Sequence, residues 1–249
     1  MDISAASFLK NRDVLPSIWV DFVAYHTSQE FFQEMLSIFG DVIQRHYPLL
    51  EDRIGTLSTA PTGIRFAEQM DSQPLSLDCQ VGINTPGRST SVVIGPHCDS
   101  PDELYAGLLY FRRPEDDAEG GNLDLFSWKY SEQKLFRDGH KIADVSLIER
   151  QATIPYAADT LVMFINTLDS VHGVTPRSPS SVSRRLVNVI GEVYNAVPGG
   201  LFERPQVSIQ TTDDAANGGS GLLRQPGLFR QKVKAKLKAL RSGFLKSEP

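Results

Sequence analysis

At 249 residues the chain is long enough for one large domain or two small ones. Its 41% hydrophobic content and mean hydropathy of −0.21 suit a soluble protein with a sizeable core. A net charge of −5 argues against a nucleic-acid-binding domain, and no apolar run approaches the roughly 20 residues a membrane-spanning helix needs, so no integral membrane segment is expected. Two cysteines, Cys79 and Cys98, cannot build a disulfide framework and point to a reducing compartment. The opening MDISAASFLKNRD lacks the basic start and apolar stretch of a signal peptide, so a cytoplasmic location is expected.

In chain order, the first strong element is a helix beginning near Thr27. Ser28 is a candidate N-cap, and Phe31, Phe32, Met35, Leu36, Phe39, Val42 and Ile43 recur at helical spacing. From about residue 75 the texture changes to short β-rich runs: LDCQVGIN, STSVVIG, LYAGLLYFR, NLDLFSWKY, KIADVSLIERQATIP, TLVMFINT and RRLVNVIGEVYN. Turn clusters such as NTPGRS, RPEDDAEGG and PRSPSS separate them, the pattern of a β-sandwich or barrel buttressed by helices. Beyond residue 200 comes a Gly- and Asp-rich loop and then PGLFRQKVKAKLKALRSGFL, read as a basic amphipathic helix. From Arg224 onward eight basic residues meet one acid. That helix either docks on the domain or meets an acidic partner or anionic surface. The expected organisation is a helical support region over 1–74, a β core over 75–200, and a loop with the basic helix over 201–249.

The stretch GPHCDSPDELYAGLLYF carries the chemistry. Side chains two apart on a strand share a face, so His97 and Asp99 can present an imidazole and a carboxylate together, with Cys98 turned away. A third ligand must come from elsewhere, and His172 stands out at the end of the apolar run LVMFINTLDSVHGV. Two histidines and one carboxylate leave three positions open on an octahedral metal, the arrangement that non-haem Fe(II) uses to activate dioxygen. His26, His46 and His140 are read as structural or surface residues.

Residues 95–190 resemble the 2-oxoglutarate- and Fe(II)-dependent dioxygenases, in the broad group of prolyl 4-hydroxylase-like enzymes. The matching pieces are PHCD, the LLYF strand, EGGNLDLF, the distal HGVTP and the basic pair in SRRLVNV. The resemblance implies a mainly β fold with flanking helices, its core a double-stranded β-helix (jelly roll). It also implies Fe(II) held by His97, Asp99 and His172, with 2-oxoglutarate and O2 as cosubstrates. The far carboxylate of 2-oxoglutarate then needs a cation on the strand RRLVNVIGEV. If Arg184 faces inward, so does Asn188. If Arg185 does, Val187 and Val189 follow. Arg184 is preferred, because an inward Asn188 is easier to explain beside a polar site. Arginine suits the role because its planar fork meets a carboxylate at two points.

Tyr110 is a second candidate contact, and Gln80 and Asn84 are candidate lining residues. Retention of Asp99, which halogenating relatives replace with a small residue, implies hydroxylation or another oxidation. The expected activity is oxidation of a C–H bond of a small-molecule substrate. The alternatives are a prolyl or other protein hydroxylase, a non-catalytic jelly-roll binding protein, and a cupin-type metal isomerase or hydrolase. The acids Glu115, Asp116, Asp117 and Glu119 are read as a solvated turn, or else as a field favouring neutral or cationic substrates. Gly120 and Gly121 are read as a tight turn before a strand.

Overall fold

A computed structural model of the chain describes residues 2–67, 73–91, 94–137, 141–193 and 196–205, and residues 1–208 form one compact unit. The expected basic C-terminal helix, the Gly- and Asp-rich loop and His140 lie outside the described residues.

The N-terminal part opens with a short strand β1 (Asp2–Ile3) and helices α1 (Ala5–Lys10), α2 (Ser17–His26) and α3 (Gln29–His46), followed by a single turn α4 (Glu51–Ile54). α3 forms as the sequence leads one to expect. Ser28 caps it, its side chain accepting the Phe31 N–H at 3.1 Å, while Arg45 and His46 in the last turn complement the helix dipole. Phe31, Phe32, Met35 and Ile43 are its buried face.

The remainder is mainly β. The large sheet takes β1, β2 (Thr62–Ile64), β3 (Leu75–Asn84), β11 (Arg184–Glu192), β4 (Glu103–Tyr110) and β9 (Thr160–Ile165). Its central order is β3-β11-β4-β9, and β1 and β2 both pair with β3. A smaller sheet runs β10 (His172–Val174), β5 (Leu123–Trp128), β8 (Ile148–Ile154), and β6 (Phe136–Arg137) pairs with β7 (Ile142–Ala143). Among the described residues the sheets are open and do not close into a barrel.

Strand alternation assigns the two faces of the large sheet to two different cores. Cys79, Val187, Val189 and Tyr105 pack with Ala5, Phe8, Val23, Phe32 and Met35 of the helices. The opposite face offers Leu108, Tyr110 and Leu186, which pack with Leu123, Leu125, Ile154 and Tyr156 from the smaller sheet and its exit. The candidate site lies on this second, inter-sheet side.

Three expected elements come out differently. STSVVIG is not a regular strand where it is described: Ser91 bridges to Arg177 and His97 to Ile142 and His172, with irregular backbone at Ile94 and Gly95. KIADVSLIERQATIP splits into β7 and β8, because Asp144 turns back to accept hydrogen bonds from the N–H and hydroxyl of Ser146. The apolar run before His172 does not end in that residue. β9 stops at Ile165, a turn follows, and His172 opens β10 in the other sheet.

In the acidic turn Glu115, Asp117 and Glu119 are exposed, as a solvated turn requires, but Asp116 is not. Asp116 is 5% exposed and pairs with Arg177 at 2.7 Å, while Arg112 binds the carbonyls of Asp116, Ala118 and Tyr156. Gly120 and Gly121 follow, both at positive φ (77° and 72°), and a Cβ on Gly120 would collide with the Pro176 carbonyl.

Candidate metal centre and the buried arginine

His97 and His172 meet because they face each other across an antiparallel bridge. The His97 N–H donates to the His172 carbonyl at 2.8 Å and the His172 N–H returns the bond at 2.9 Å. Residues directly opposite in such a pair project to one face, so the imidazoles lie side by side with centroids 4.5 Å apart. Gly173 allows the close approach, since a Cβ there would sit 3.2 Å from the Pro96 backbone.

Asp99 completes the group from an irregular turn, not from a strand as the two-residue spacing suggests. Its Oδ1 lies 3.5 Å from His97 Nε2 and 3.7 Å from His172 Nε2, and the three ligand atoms fall within 4.8 Å of one another. His172 is buried, whereas His97 and Asp99 are partly exposed, which leaves the group open on one side. Cys98 turns the other way into a small cluster with Phe136, Ala143, Ile148 and Val171, and burial pushes its thiol up to about 12.

The ring tautomers follow from hydrogen bonding. His97 Nδ1 lies 2.8 Å from the Gly95 carbonyl and His172 Nδ1 lies 2.9 Å from the Ser170 carbonyl. A carbonyl only accepts, so each Nδ1 carries a proton, and each ring faces Asp99 through its Nε2. Burial holds the His172 pKa below its ordinary value, with His97 adding to the effect against Asp99. Burial acts to raise the Asp99 carboxyl, but the hydrogen bond and charges of His97, His172 and Arg204 outweigh it and keep it below the usual carboxylate range. With Nε2 free of its proton, the two imidazoles and the carboxylate would be the donor forms a divalent metal requires, and this set suits Fe(II). The Phe164 ring, 4.7 Å from the His172 ring, supports it from the large sheet.

The strand-phase alternatives separate cleanly. Arg184 is 4% exposed and points into the inter-sheet side, whereas Arg185 is exposed. Arg184 lies between two aromatic rings, its guanidinium 5.0 Å from the Tyr110 centroid and 4.9 Å from that of Tyr156. Its Nε donates to the Gly121 carbonyl at 3.2 Å. Among the described residues no carboxylate pairs with it, and burial draws its pKa down from the ordinary value. A buried cation without an anion is costly, and this one retains an Nη2 with no hydrogen-bond partner.

Two further buried polar atoms on that side make no hydrogen bond of ordinary geometry, Asn188 Oδ1 and Tyr110 Oη, although the Tyr110 phenol lies close enough to Arg184 to interact with its charge. Tyr110 sits opposite Leu186 in the ladder, between the phases of Arg184 and Asn188 on β11. Buried polar groups are nearly always satisfied, so three orphans from neighbouring strand positions fit a polar guest with acceptor oxygens. An amide flip would turn the Asn188 donor to the same side.

Gln80 lies opposite Asn188 in the ladder, but its amide is engaged by Asp78 at 2.9 Å, and Asn84 lies opposite Arg184. His26 Nδ1 donates to the Phe22 carbonyl, 2.8 Å away, and packs against the Phe22 and Phe31 rings, a structural role; His46 ends α3. Sequence reasoning missed Tyr156, Phe164, Asn166 and Arg204, because each acts from a turn or strand end with no motif of its own.

No protein-family model matches the chain, and no curated protein matches it. Solved structures that resemble it include a prolyl 4-hydroxylase from Phytophthora capsici, with 17% identity, TM-score 0.38, and coverage of 80% of this chain and 50% of that one. Another is an oxidoreductase of the 2OG-Fe(II) oxygenase family from Burkholderia pseudomallei, with 17% identity, TM-score 0.31, and coverage of 67% and 60%. The chain thus spans about half to three-fifths of the length of these structures. Among the described residues no helix is long and apolar enough to cross a membrane.

Proposed function

We propose that the protein is a 2-oxoglutarate- and Fe(II)-dependent dioxygenase that oxidises a C–H bond of a small molecule, on a jelly-roll core formed by its two sheets. The observation that carries this reading is a pairing. A two-histidine, one-carboxylate cluster lies on the same inter-sheet side as a buried arginine that has no carboxylate partner among the described residues.

His97, Asp99 and His172 would hold the iron and leave the remaining positions for a bidentate ligand and O2. Arg184 would receive the far carboxylate of 2-oxoglutarate, with Tyr110 donating its phenol proton and Asn188 its amide. When bound, iron with 2-oxoglutarate supplies the oxidising chemistry, in which O2 is consumed, 2-oxoglutarate becomes succinate and CO2, and the substrate is oxidised. The protein's own task is placement and exclusion of water. Leu108, Leu123 and Leu186 line the dry inter-sheet region, where the Arg184 charge acts through a low dielectric. Arg185 points to solvent and has no part in this scheme.

The test is anaerobic titration of the Fe(II) protein with 2-oxoglutarate, followed by admission of O2. A weak visible charge-transfer band and 2-oxoglutarate-dependent succinate formation are expected. Metal-dependent turnover without any need for 2-oxoglutarate would instead favour a cupin-type isomerase or hydrolase. Succinate formation with a metabolite extract, but not with proline-rich peptides, would assign the small-molecule class.

A further inference from the structure

The turn that carries Asp99 belongs to no regular strand, so its backbone carbonyls lack ladder partners. Two side chains take up three of them and the carbonyl of Glu103, which opens β4. Arg204 Nη2 donates to the Cys98 carbonyl at 3.0 Å and to the Asp99 carbonyl. Asn166 Nδ2 donates to the Ser100 carbonyl at 2.6 Å and to the Glu103 carbonyl at 3.0 Å.

These side chains come from two segments far apart in sequence, and each segment is itself anchored. Asn166 follows β9 and is fully buried. Its Oδ1 accepts from the Ser170 hydroxyl at 3.3 Å, and the Ser170 carbonyl is the acceptor that orients His172 Nδ1. Its own carbonyl accepts the Tyr47 hydroxyl of α3 at 2.5 Å. One amide therefore joins the Asp99 turn to the turn that leads into His172. Arg204 lies on the segment after β11, which crosses the ligand turn. Leu201 N–H donates to the Pro101 carbonyl at 2.8 Å, and the Pro205 carbonyl accepts from Phe136 N–H at 3.0 Å. Arg204 also carries its positive charge beside Asp99, Asp102 and Glu103.

We propose that Asn166 and Arg204 are positioning residues of the metal centre, holding the Asp99 turn in register with the His97–His172 pair. This rests on reading the triad as a metal site. The His97 and His172 backbones are fixed by their mutual bridge, whereas Asp99 has no such support, so its placement depends on side chains that grip the carbonyls around it. Outer partners of this kind typically alter metal affinity about tenfold to hundredfold.

The experiment is anaerobic calorimetric titration of Co(II) and Fe(II) into the full chain, with Co(II) absorption spectra and thermal melts of the metal-free proteins. Wild type, Arg204→Met, Arg204→Lys, Asn166→Ser and His172→Ala are compared. Arg204→Met is expected to bind Co(II) about tenfold to hundredfold more weakly with shifted ligand-field bands, while melting near wild type. Arg204→Lys should recover much of the loss, because one ammonium can still donate to both carbonyls. Asn166→Ser should weaken binding similarly, and if it does not fold, the Met–Lys pair alone decides. Wild-type affinity and spectrum in Arg204→Met, or no recovery in Arg204→Lys, would overturn the proposal while loss of binding in His172→Ala left the metal reading standing. Undiminished binding in His172→Ala would overturn both.

Discussion

The metal corner and the arginine corner lie on the same side of the large sheet and solve opposite problems. At the candidate metal corner the ligands are held from behind: both Nδ1 atoms meet carbonyls, and the Asp99 turn is gripped by Asn166 and Arg204. At the arginine corner Tyr110, Arg184 and Asn188 each keep a buried polar atom without a hydrogen bond of ordinary geometry. The first corner is organised before anything binds. The second is a buried cation, which under the proposed function a guest anion would complete, and a charge-assisted contact there is worth far more than one at the surface.

The largest expected effect tests the first corner. Replacing His172, His97 or Asp99 with Ala should abolish Fe(II) binding and succinate formation while the β core still folds, as circular dichroism would check. Wild-type turnover by His172→Ala would remove it from the site.

Arg184→Ala comes next. Losing one partner of a buried charge pair costs roughly 2–5 kcal/mol. At about 1.4 kcal/mol per tenfold, KM for 2-oxoglutarate should rise about thirtyfold to several-thousandfold. 2-Oxobutyrate, which lacks the far carboxylate, should partly restore turnover. Unchanged 2-oxoglutarate kinetics would collapse the contrast between the corners.

Tyr110→Phe sharpens the comparison, because it deletes a single neutral hydrogen bond of about 0.5–1.5 kcal/mol, or roughly twofold to twelvefold in the same KM. A loss as large as that of Arg184→Ala would make the phenol the principal anchor.

A pH prediction concerns the acids behind the metal corner. Burial, then the charges of Asp99 and Glu192, raises Glu103 from the ordinary 4.5 to about 8, and burial raises Glu192 to about 7. Raised carboxyls favour the folded state while protonated there. Their contribution is therefore fully present below about pH 4.5 and is lost as pH climbs through about 7 to 8. Glu103→Gln should flatten that decline in Tm relative to wild type, and an unaltered Tm–pH profile would show that Glu103 ionises normally.

The smallest effect belongs to Arg185→Ala. The side chain is exposed, and exposed ion pairs contribute about 0–1 kcal/mol, so KM for 2-oxoglutarate should scarcely move.

Much of this was legible in the chain itself. The period of the apolar residues and a capping serine specify α3, and alternation in β3, β4 and β11 specifies which residues share a face, because both patterns are local. His97 and Asp99 were candidates through their spacing, although a turn and not a strand brings them together. The inward phase of Arg184 followed from the company of Asn188.

What only the tertiary structure decided is everything that depends on pairing across distance. The bridge that sets His172 opposite His97 joins segments far apart in sequence, and no local propensity encodes its register. Asp116 alone of the four acids in its loop turns inward, to an internal ion pair with Arg177, while Glu115, Asp117 and Glu119 stay exposed. Asn166 and Arg204 carry no motif, since a side chain that grips a carbonyl is recognised by where the backbone passes. The physical reason is the same throughout: periodicity reports which face a residue occupies, and long-range pairing decides what that face meets.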